Sequence, residues 1–466
     1  MSKRNIQAWL LLLAVLVALL LRVGTLGRKS LWGDEVATLR IASQSAEDII
    51  MNRTTRSDPH PPLYYLLMHY WTELGQSELV VRLPSALAGI AAIPLLYWLV
   101  RACSDQWSAT TSAWLLAIMP LHIWYSQEAR MYALVCTLGM ASTLFYALTI
   151  CRQKPLAWLG WIAATVTGLY TDYSMVLVVV AQIILLVPSW RIYGTRPAAR
   201  WPALIALPVA LLLSTPTVYT FVRDLVLAGG KAGYYLLIQS RLSGWGIDIP
   251  QAQLHTATMT LAAITMGVII IAVYVLSSHL NKIRVGTPLM LAATAIYLAI
   301  LIASAVPRGL LLKRQLLAIL PYGLGGIAAV LAALPYRNRL LAALVLVTLP
   351  VTGHIVAVRE QEAWRDVAQF VENNKDPQDI ILFDPTWRRH DFEYYYPGDV
   401  PRQGVQEKDV PETLISIAAS HQRVWLVQYF DPPGEAQRWL DENCTFLDEY
   451  AFPGVRIRLY DTRPPD

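Results

Sequence analysis

The chain has 466 residues, 55% of them hydrophobic and only 15% charged, with a mean hydropathy of +0.41. A soluble enzyme of this size carries roughly a quarter charged residues, so an ordinary soluble domain is excluded. The net charge of +5 and the pI of about 8.9 do not point to nucleic acid, because Lys and Arg gather at the ends of apolar runs, where they act as topology signals.

Apolar runs of roughly 20 residues, enough to cross a ~30 Å hydrocarbon core, recur to about residue 357, after which composition turns polar. The pattern predicts an all-α polytopic membrane protein of about eleven spans over 1–357. A small C-terminal α/β domain is expected over 358–466. The first span is 7–26, with Lys3 and Arg4 before it; no small-residue cleavage site precedes Arg22, so it reads as retained. The positive-inside rule then places the first loop, 28–81, on the outer face. Within it Val36, Leu39, Ala42 and Ala46 suggest a short amphipathic helix at the membrane surface. Ser45 with Glu47 and Asp48 suggests a cap for a second. The prolines of Asp58-Pro59-His60-Pro61-Pro62 open a short interfacial helix over 62–75, with Trp71 near its end.

Further spans follow at 82–100, 107–121, 131–150, 156–170, 173–190, 201–222, 253–277, 288–306, 314–334 and 340–357. Outer loops are expected at 122–130 and 223–252, with Asp172 in an outer turn. Inner loops collect Lys and Arg, while Asp105 is almost their only acid; one span more or less would scramble that asymmetry. In the tail, a helical pattern starts at Trp364, and 380–383, 424–429 and 455–459 read as strands. No phosphate loop or nucleophile elbow occurs there, and the tail reads as a lid or docking domain. Cys103, Cys136, Cys151 and Cys444 form neither a disulfide framework nor a metal spacing.

The chemistry-bearing residues lie in the outer loops. Ser30-Leu31-Trp32-Gly33-Asp34-Glu35-Val36 carries two adjacent acids just after the first span, which is costly near a bilayer unless they bind or react. Asp34 either caps the surface helix, worth about 1 kcal/mol, or serves as a general base toward an attacking hydroxyl. Arg130, in Glu128-Ala129-Arg130-Met131-Tyr132, is either an interfacial anchor or a ligand for a phosphate headgroup, which a guanidinium grips with two hydrogen bonds. Arg308, Lys313 and Arg314 make a basic cluster on the outer side, against the topology rule, and so ask for an anionic partner. His60 is a candidate metal ligand or hydrogen-bond partner, although a lone histidine more often does neither. Outer acids and outer cations at the mouth of an apolar bundle describe a reaction in which a lipid phosphate leaves while a carboxylate activates a nucleophile.

At these residues the sequence resembles a known family. Asp34-Glu35, then His60-Pro61-Pro62-Leu63-Tyr64-Tyr65, Arg82-Leu83-Pro84-Ser85-Ala86-Leu87 and Glu128-Ala129-Arg130-Met131-Tyr132-Ala133-Leu134 look like the bacterial branch of glycosyltransferase family 39. These are the dolichyl-phosphate-mannose protein mannosyltransferases, related to the aminoarabinose transferase of lipid A. The resemblance covers about 1–360, and Trp364-Arg365-Asp366 is similar to the extracytoplasmic tail of many members. It implies a GT-C fold and an inverting sugar transfer from a polyprenyl-phosphate donor to an acceptor outside the cytoplasm. The family's catalytic acid maps onto Asp34, and Glu35 matches the acid that commonly follows it. Members often carry an Arg-Tyr pair at a late span; here Gln315 follows Arg314.

The resulting expectation is a glycosyltransferase of the bacterial inner membrane, with its active site and C-terminal domain extracytoplasmic. Asp34 and Glu35 are the catalytic candidates. Arg130, Lys313, Arg314 and Arg308 would bind donor phosphate, while His60, Tyr64, Glu128 and Tyr132 would bind sugar or acceptor. The partners expected are a polyprenyl-phosphate-linked sugar, a lipid, glycan or protein acceptor, and membrane lipids, with no nucleic acid. No cofactor is expected; a divalent metal is possible but not favoured, since the cations can do its work. A transporter or flippase would show inverted repeats and mid-bilayer charges, neither of which is visible. A non-catalytic assembly or receptor protein would tolerate neutralising both acids. An O-antigen-type ligase or polymerase, which uses lipid diphosphates, would place basic residues in one large late loop, for which 223–252 leaves room.

Overall fold

The computed structural model describes residues 3–51, 60–192, 194–217, 219, 317, 320–333, 362–406, 410–428 and 434–463. These residues belong to two compact units. One comprises Met1–Gly24, Gln44–Trp71 and Arg82–Ile355; the other comprises Thr25–Ser43, Thr72–Val81 and Val356–Asp466.

The first unit is helical. It contains α1 (Lys3–Val23), α3 (Ala46–Ile50), α4 (Leu63–Trp71), most of α5 (Glu78–Cys103), α6 (Gln106–Ile118), α7 (Pro120–Ser126), α8 (Tyr132–Arg152), α9 (Ala157–Thr171), α10 (Met175–Ile192), α11 (Pro197–Leu213) and α12 (Leu320–Ala333). By length and composition, three described helices can cross a membrane: Asn5–Val23, Glu78–Cys103 and Tyr132–Arg152. Apolar stretches Met175–Val187 and Arg200–Leu213 are shorter. The expected spans at 253–277, 288–306 and 340–357 lie outside the described residues.

Several boundaries differ from the sequence reading, each for a local reason. The expected loop at 122–130 begins instead with α7. Met119 is extended (φ −68, ψ 116), as a residue before proline prefers, and Pro120 opens a new helix at its first turn. Helix α5 starts at Glu78 rather than 82, with Pro84 and Pro94 inside it; apolar bundles tolerate such prolines where neighbours satisfy the freed carbonyls. Helix α11 starts earlier than 201, with Pro197 at its first position, and ends before Ser214. The Ser45 cap does form, its Oγ accepting from Asp48 N at 3.1 Å.

The core of this unit holds a polar knot. Gln182 of α10 accepts from the Trp161 indole of α9 at 2.7 Å and donates to Thr143 of α8 at 2.9 Å. Ser142 meets Thr165 at 2.9 Å, and Thr143 meets Tyr322 of α12 at 2.9 Å. Away from water, satisfied polar groups of this kind fix which helix faces meet. Gly160 permits the close approach of α9 to α8, since a Cβ there would lie 2.6 Å from the Phe145 ring.

The second unit combines α2 (Gly33–Ala42), a short 3-10 turn (Thr72–Leu74) and an α/β fold. The latter contains α13 (Trp364–Asn374), β1 (Asp379–Asp384), α14 (Arg389–Glu393), β2 (Arg402–Gly404), α15 (Glu412–Ser420), β3 (Arg423–Gln428), α16 (Glu435–Asn443), β4 (Thr445–Phe452) and β5 (Val455–Asp461). The sheet order is β2-β1-β3-β5-β4. The pairs of β1 with β2 and β3 are parallel, and those of β5 with β3 and β4 antiparallel. Both faces are covered, so the apolar runs of β1 and β3 do not alternate with polar residues. Ile381 and Phe383 pack with Trp364, Val367 and Phe392 on one face. Ile380 and Leu382 pack with Leu414, Ile417 and Leu440 on the other.

Candidate active site

The acid pair sits at the start of α2. Trp32 caps the helix, so Gly33, Asp34 and Glu35 are its first three residues. Glu35 is fully buried, and its Oε2 accepts from Trp32 N at 3.2 Å. This is the return half of a capping box; the indole, a donor only, cannot complete the other half. Asp34 stands one position earlier with its side chain partly exposed, and its carbonyl accepts from Thr38 Oγ1 at 3.0 Å. Side by side in sequence, the two acids therefore occupy different environments.

The turn that leads into α2 is held by residues from the tail. Leu31 N donates to the Tyr395 hydroxyl at 2.7 Å, and that hydroxyl donates to Glu78 Oε1 at 2.9 Å. Arg365 N donates to Ser30 Oγ at 3.1 Å, and the Arg365 guanidinium pairs with Glu78. Below Gly33 lies a buried charge cluster. Arg388 Nη1 bonds Glu362 at 2.9 Å and Asp391 at 3.0 Å, and Trp364 Nε1 donates to the same Glu362 oxygen at 2.7 Å. Burial pushes the Asp391 carboxyl up to about 7; Arg388 opposes the rise, and Glu362 and Asp34 add to it. The Arg388 guanidinium, shared with Glu362, does not offset the desolvation of the Asp391 carboxyl.

The other site candidates that the structure describes belong to the helical unit. Tyr64 is fully buried on α4, its hydroxyl 2.9 Å from Ser85 Oγ of α5, and Ser85 donates to the Arg130 carbonyl at 2.9 Å. Arg130 N donates to the Glu128 carbonyl at 2.8 Å. The Arg130 side chain is buried with its guanidinium 5.7 Å from the centre of the Tyr132 ring, within cation–π range. Glu128 accepts from the Trp124 indole at 2.6 Å, and Tyr132 packs edge-on against Tyr125 at 5.4 Å. Tyr64, Glu128, Arg130 and Tyr132 thus form one cluster.

His60 forms a different pair, its Nδ1 3.1 Å from Asp172 Oδ2. Burial would raise the Asp172 carboxyl, but the His60 imidazole and a 2.8 Å bond from Ser174 N outweigh it and hold it below the ordinary range. Arg308, Lys313 and Arg314 lie outside the described residues. Sequence reasoning assigns no site role to Ser85, Trp124, Arg388, Asp391 or Tyr395, and treats Asp172 only as a topology signal. The one local signal for the tail residues is a cluster of charge and tyrosine, Arg388-Arg389-His390-Asp391 through Tyr394-Tyr395-Tyr396, in an otherwise unremarked stretch.

The family model for dolichyl-phosphate-mannose-protein mannosyltransferases matches residues 59–219, about a third of the chain. Among curated protein sequences nothing matches. Two kinds of solved structure are similar. The oligosaccharyltransferase AglB from Archaeoglobus fulgidus, in complex with an inhibitory peptide and a dolichol-phosphate, has a TM-score of 0.55 at 12% identity. That match covers 98% of this chain and 74% of the archaeal one. ArnT from Cupriavidus metallidurans in the apo state has a TM-score of 0.47 at 15% identity over the whole of both chains. This chain shares the fold of the archaeal oligosaccharyltransferase. It is a mostly helical membrane protein with a C-terminal α/β domain.

Proposed function

We propose that this protein is an inverting glycosyltransferase of the family 39 type. It would move a sugar from a polyprenyl-phosphate donor to an acceptor hydroxyl on the extracytoplasmic face of a bacterial inner membrane. The observation that carries the reading is the division of labour in the acid pair. Glu35 is buried and closes the helix end, whereas Asp34 sits partly exposed on the first turn. The mannosyltransferase family match and the fold shared with the archaeal oligosaccharyltransferase support it.

In this mechanism Asp34 takes the proton of the acceptor hydroxyl as its oxygen bonds to the anomeric carbon. The bond from that carbon to the phosphate oxygen breaks, and its electron pair leaves with the polyprenyl phosphate, inverting the centre. Proton transfer to a placed carboxylate is typically worth 10²–10⁴-fold in rate. Arg130 would offset the charge growing on the phosphate, a role shared in this proposal with Arg308, Lys313 and Arg314; such donors are typically worth a few kcal/mol each. Glu35 would act by holding the turn. Tyr64, Glu128, Tyr132 and His60 would shape the sugar and acceptor pocket. The acceptor is a lipid, glycan or protein hydroxyl.

The test is turnover of Asp34→Asn in membranes that contain labelled polyprenyl-phosphate sugars. Loss of at least about a hundredfold is expected. Near-normal turnover would overturn the reading.

A further inference from the structure

We infer that Tyr395 and the Arg388–Asp391 pair are positioning residues for the Asp34 turn, so that the α/β fold sets where the base stands. The inference rests on the proposal that Asp34 is that base, and it gives the tail a role beyond a lid or docking module.

Three contacts fall within the four-residue stretch 30–33. Ser30 Oγ accepts from Arg365 N at 3.1 Å, Leu31 N donates to the Tyr395 hydroxyl at 2.7 Å, and Gly33 lies against Arg388 and Asp391. A Cβ at Gly33 would come within 3.1 Å of Asp391 Oδ2 and 3.2 Å of Arg388 Nη1. Ser30 and Leu31 are buried, so these contacts are shielded from competing water. The Tyr395 hydroxyl accepts from Leu31 N and donates its own proton to Glu78. It thereby ties the turn to the start of α5. The Arg365 guanidinium lies 5.9 Å from the Tyr395 ring centre and pairs with the same Glu78. The Arg388 guanidinium is fixed in turn by Glu362 and by the Trp364 ring 6.0 Å away. Each anchoring side chain is itself held by a second partner, which is the arrangement that keeps a catalytic group in register.

A displacement of about 1 Å in a reacting group can cost 10²-fold in rate without changing what the site binds. Tyr395→Phe keeps the ring and removes only the hydroxyl. Gly33→Ala keeps every polar partner and presses a methyl group on the Arg388–Asp391 pair. In both full-length variants kcat per mole of folded enzyme should fall about tenfold to a hundredfold, with KM for the polyprenyl-phosphate donor unchanged. A merely structural role would instead lower the folded fraction and leave kcat per folded molecule intact. If Asp34→Asn is inactive while both variants keep wild-type kcat, the positioning role fails and the proposed function stands. If Asp34→Asn is active, the functional proposal itself fails, and this inference with it. Should Tyr395→Phe not fold, Gly33→Ala alone decides.

Discussion

Replacing Asp391 by asparagine keeps the side-chain volume and removes one titration, which makes the buried charge cluster testable through stability. The carboxyl is 3% exposed and ionises at about 7 in the folded protein, against an ordinary value of 3.8. Between these values the folded chain holds a proton that the unfolded chain has already released. Unfolding therefore releases that proton, and stability falls as pH rises across the window. Each pH unit is worth 1.36 kcal/mol, so the fold loses about 4 kcal/mol from this group between pH 3.8 and pH 7. The asparagine of the Asp391→Asn variant cannot ionise, so the difference between variant and wild type should move by about that amount in the variant's favour over the same range. Hydrogen exchange of amides in β1 and α14, compared at matched pH, reports the opening free energy of this unit rather than of the whole chain. Taking the difference cancels other groups, such as Asp461, which Arg463 holds down at about 2. A difference that stays flat from pH 4 to pH 8 refutes the argument, because it would mean that Arg388 fully compensates the burial.

Asp379 is buried and accepts from Arg423 Nε and Nη2, both at 2.8 Å, and from Trp425 Nε1 at 2.7 Å. Asp379→Ala should destabilise the α/β fold by about 3 kcal/mol, seen as loss of exchange protection in β1 and β3. Ser85→Ala breaks the link from Tyr64 to the Arg130 carbonyl and should cost about 1–3 kcal/mol; thermal unfolding measures it, and an unchanged midpoint would rule the link out as a stabilising element. For Asp172, whose carboxyl is held low by His60 and Ser174, the stabilising contribution is present above its ordinary value of 3.8 and is lost as pH falls through the lower folded value. Asp172→Asn should therefore be less stable than wild type near neutral pH, with the gap closing in acid; thermal unfolding over that range checks it.

The spans are legible where one run of apolar residues decides the outcome, as in α1 and α8, because the period and the length of the run carry the signal by themselves. Short elements are not. The seven residues of α7 depend on the Met119-Pro120 junction. The three residues of β2 become a strand only by pairing with Ile381, Leu382 and Phe383. Strand β4 carries Asp448 and Glu449 at the sheet edge and is not among the strands the sequence suggests, yet β5 supplies its partners, among them Arg458 opposite Glu449.

The candidate site divides in the same way. Two adjacent acids after an apolar span announce themselves, since such charges are costly there without a purpose. Which of the two closes the helix end does not, because it turns on where α2 starts: with Trp32 as cap, the third helical position, and with it the bond back to the cap, falls on Glu35. The support of that turn is less legible still. Leu31 and Tyr395 are 364 positions apart, and no local pattern encodes a contact of that range. Composition separates the polar tail from the apolar spans, and so suggests a detachable module. The contacts argue the opposite, because the unit that contains the tail also contains the residues on either side of Asp34. Under the proposed function, the tail belongs to the catalytic apparatus through the backbone it holds, which is a relation between residues that hydropathy cannot express.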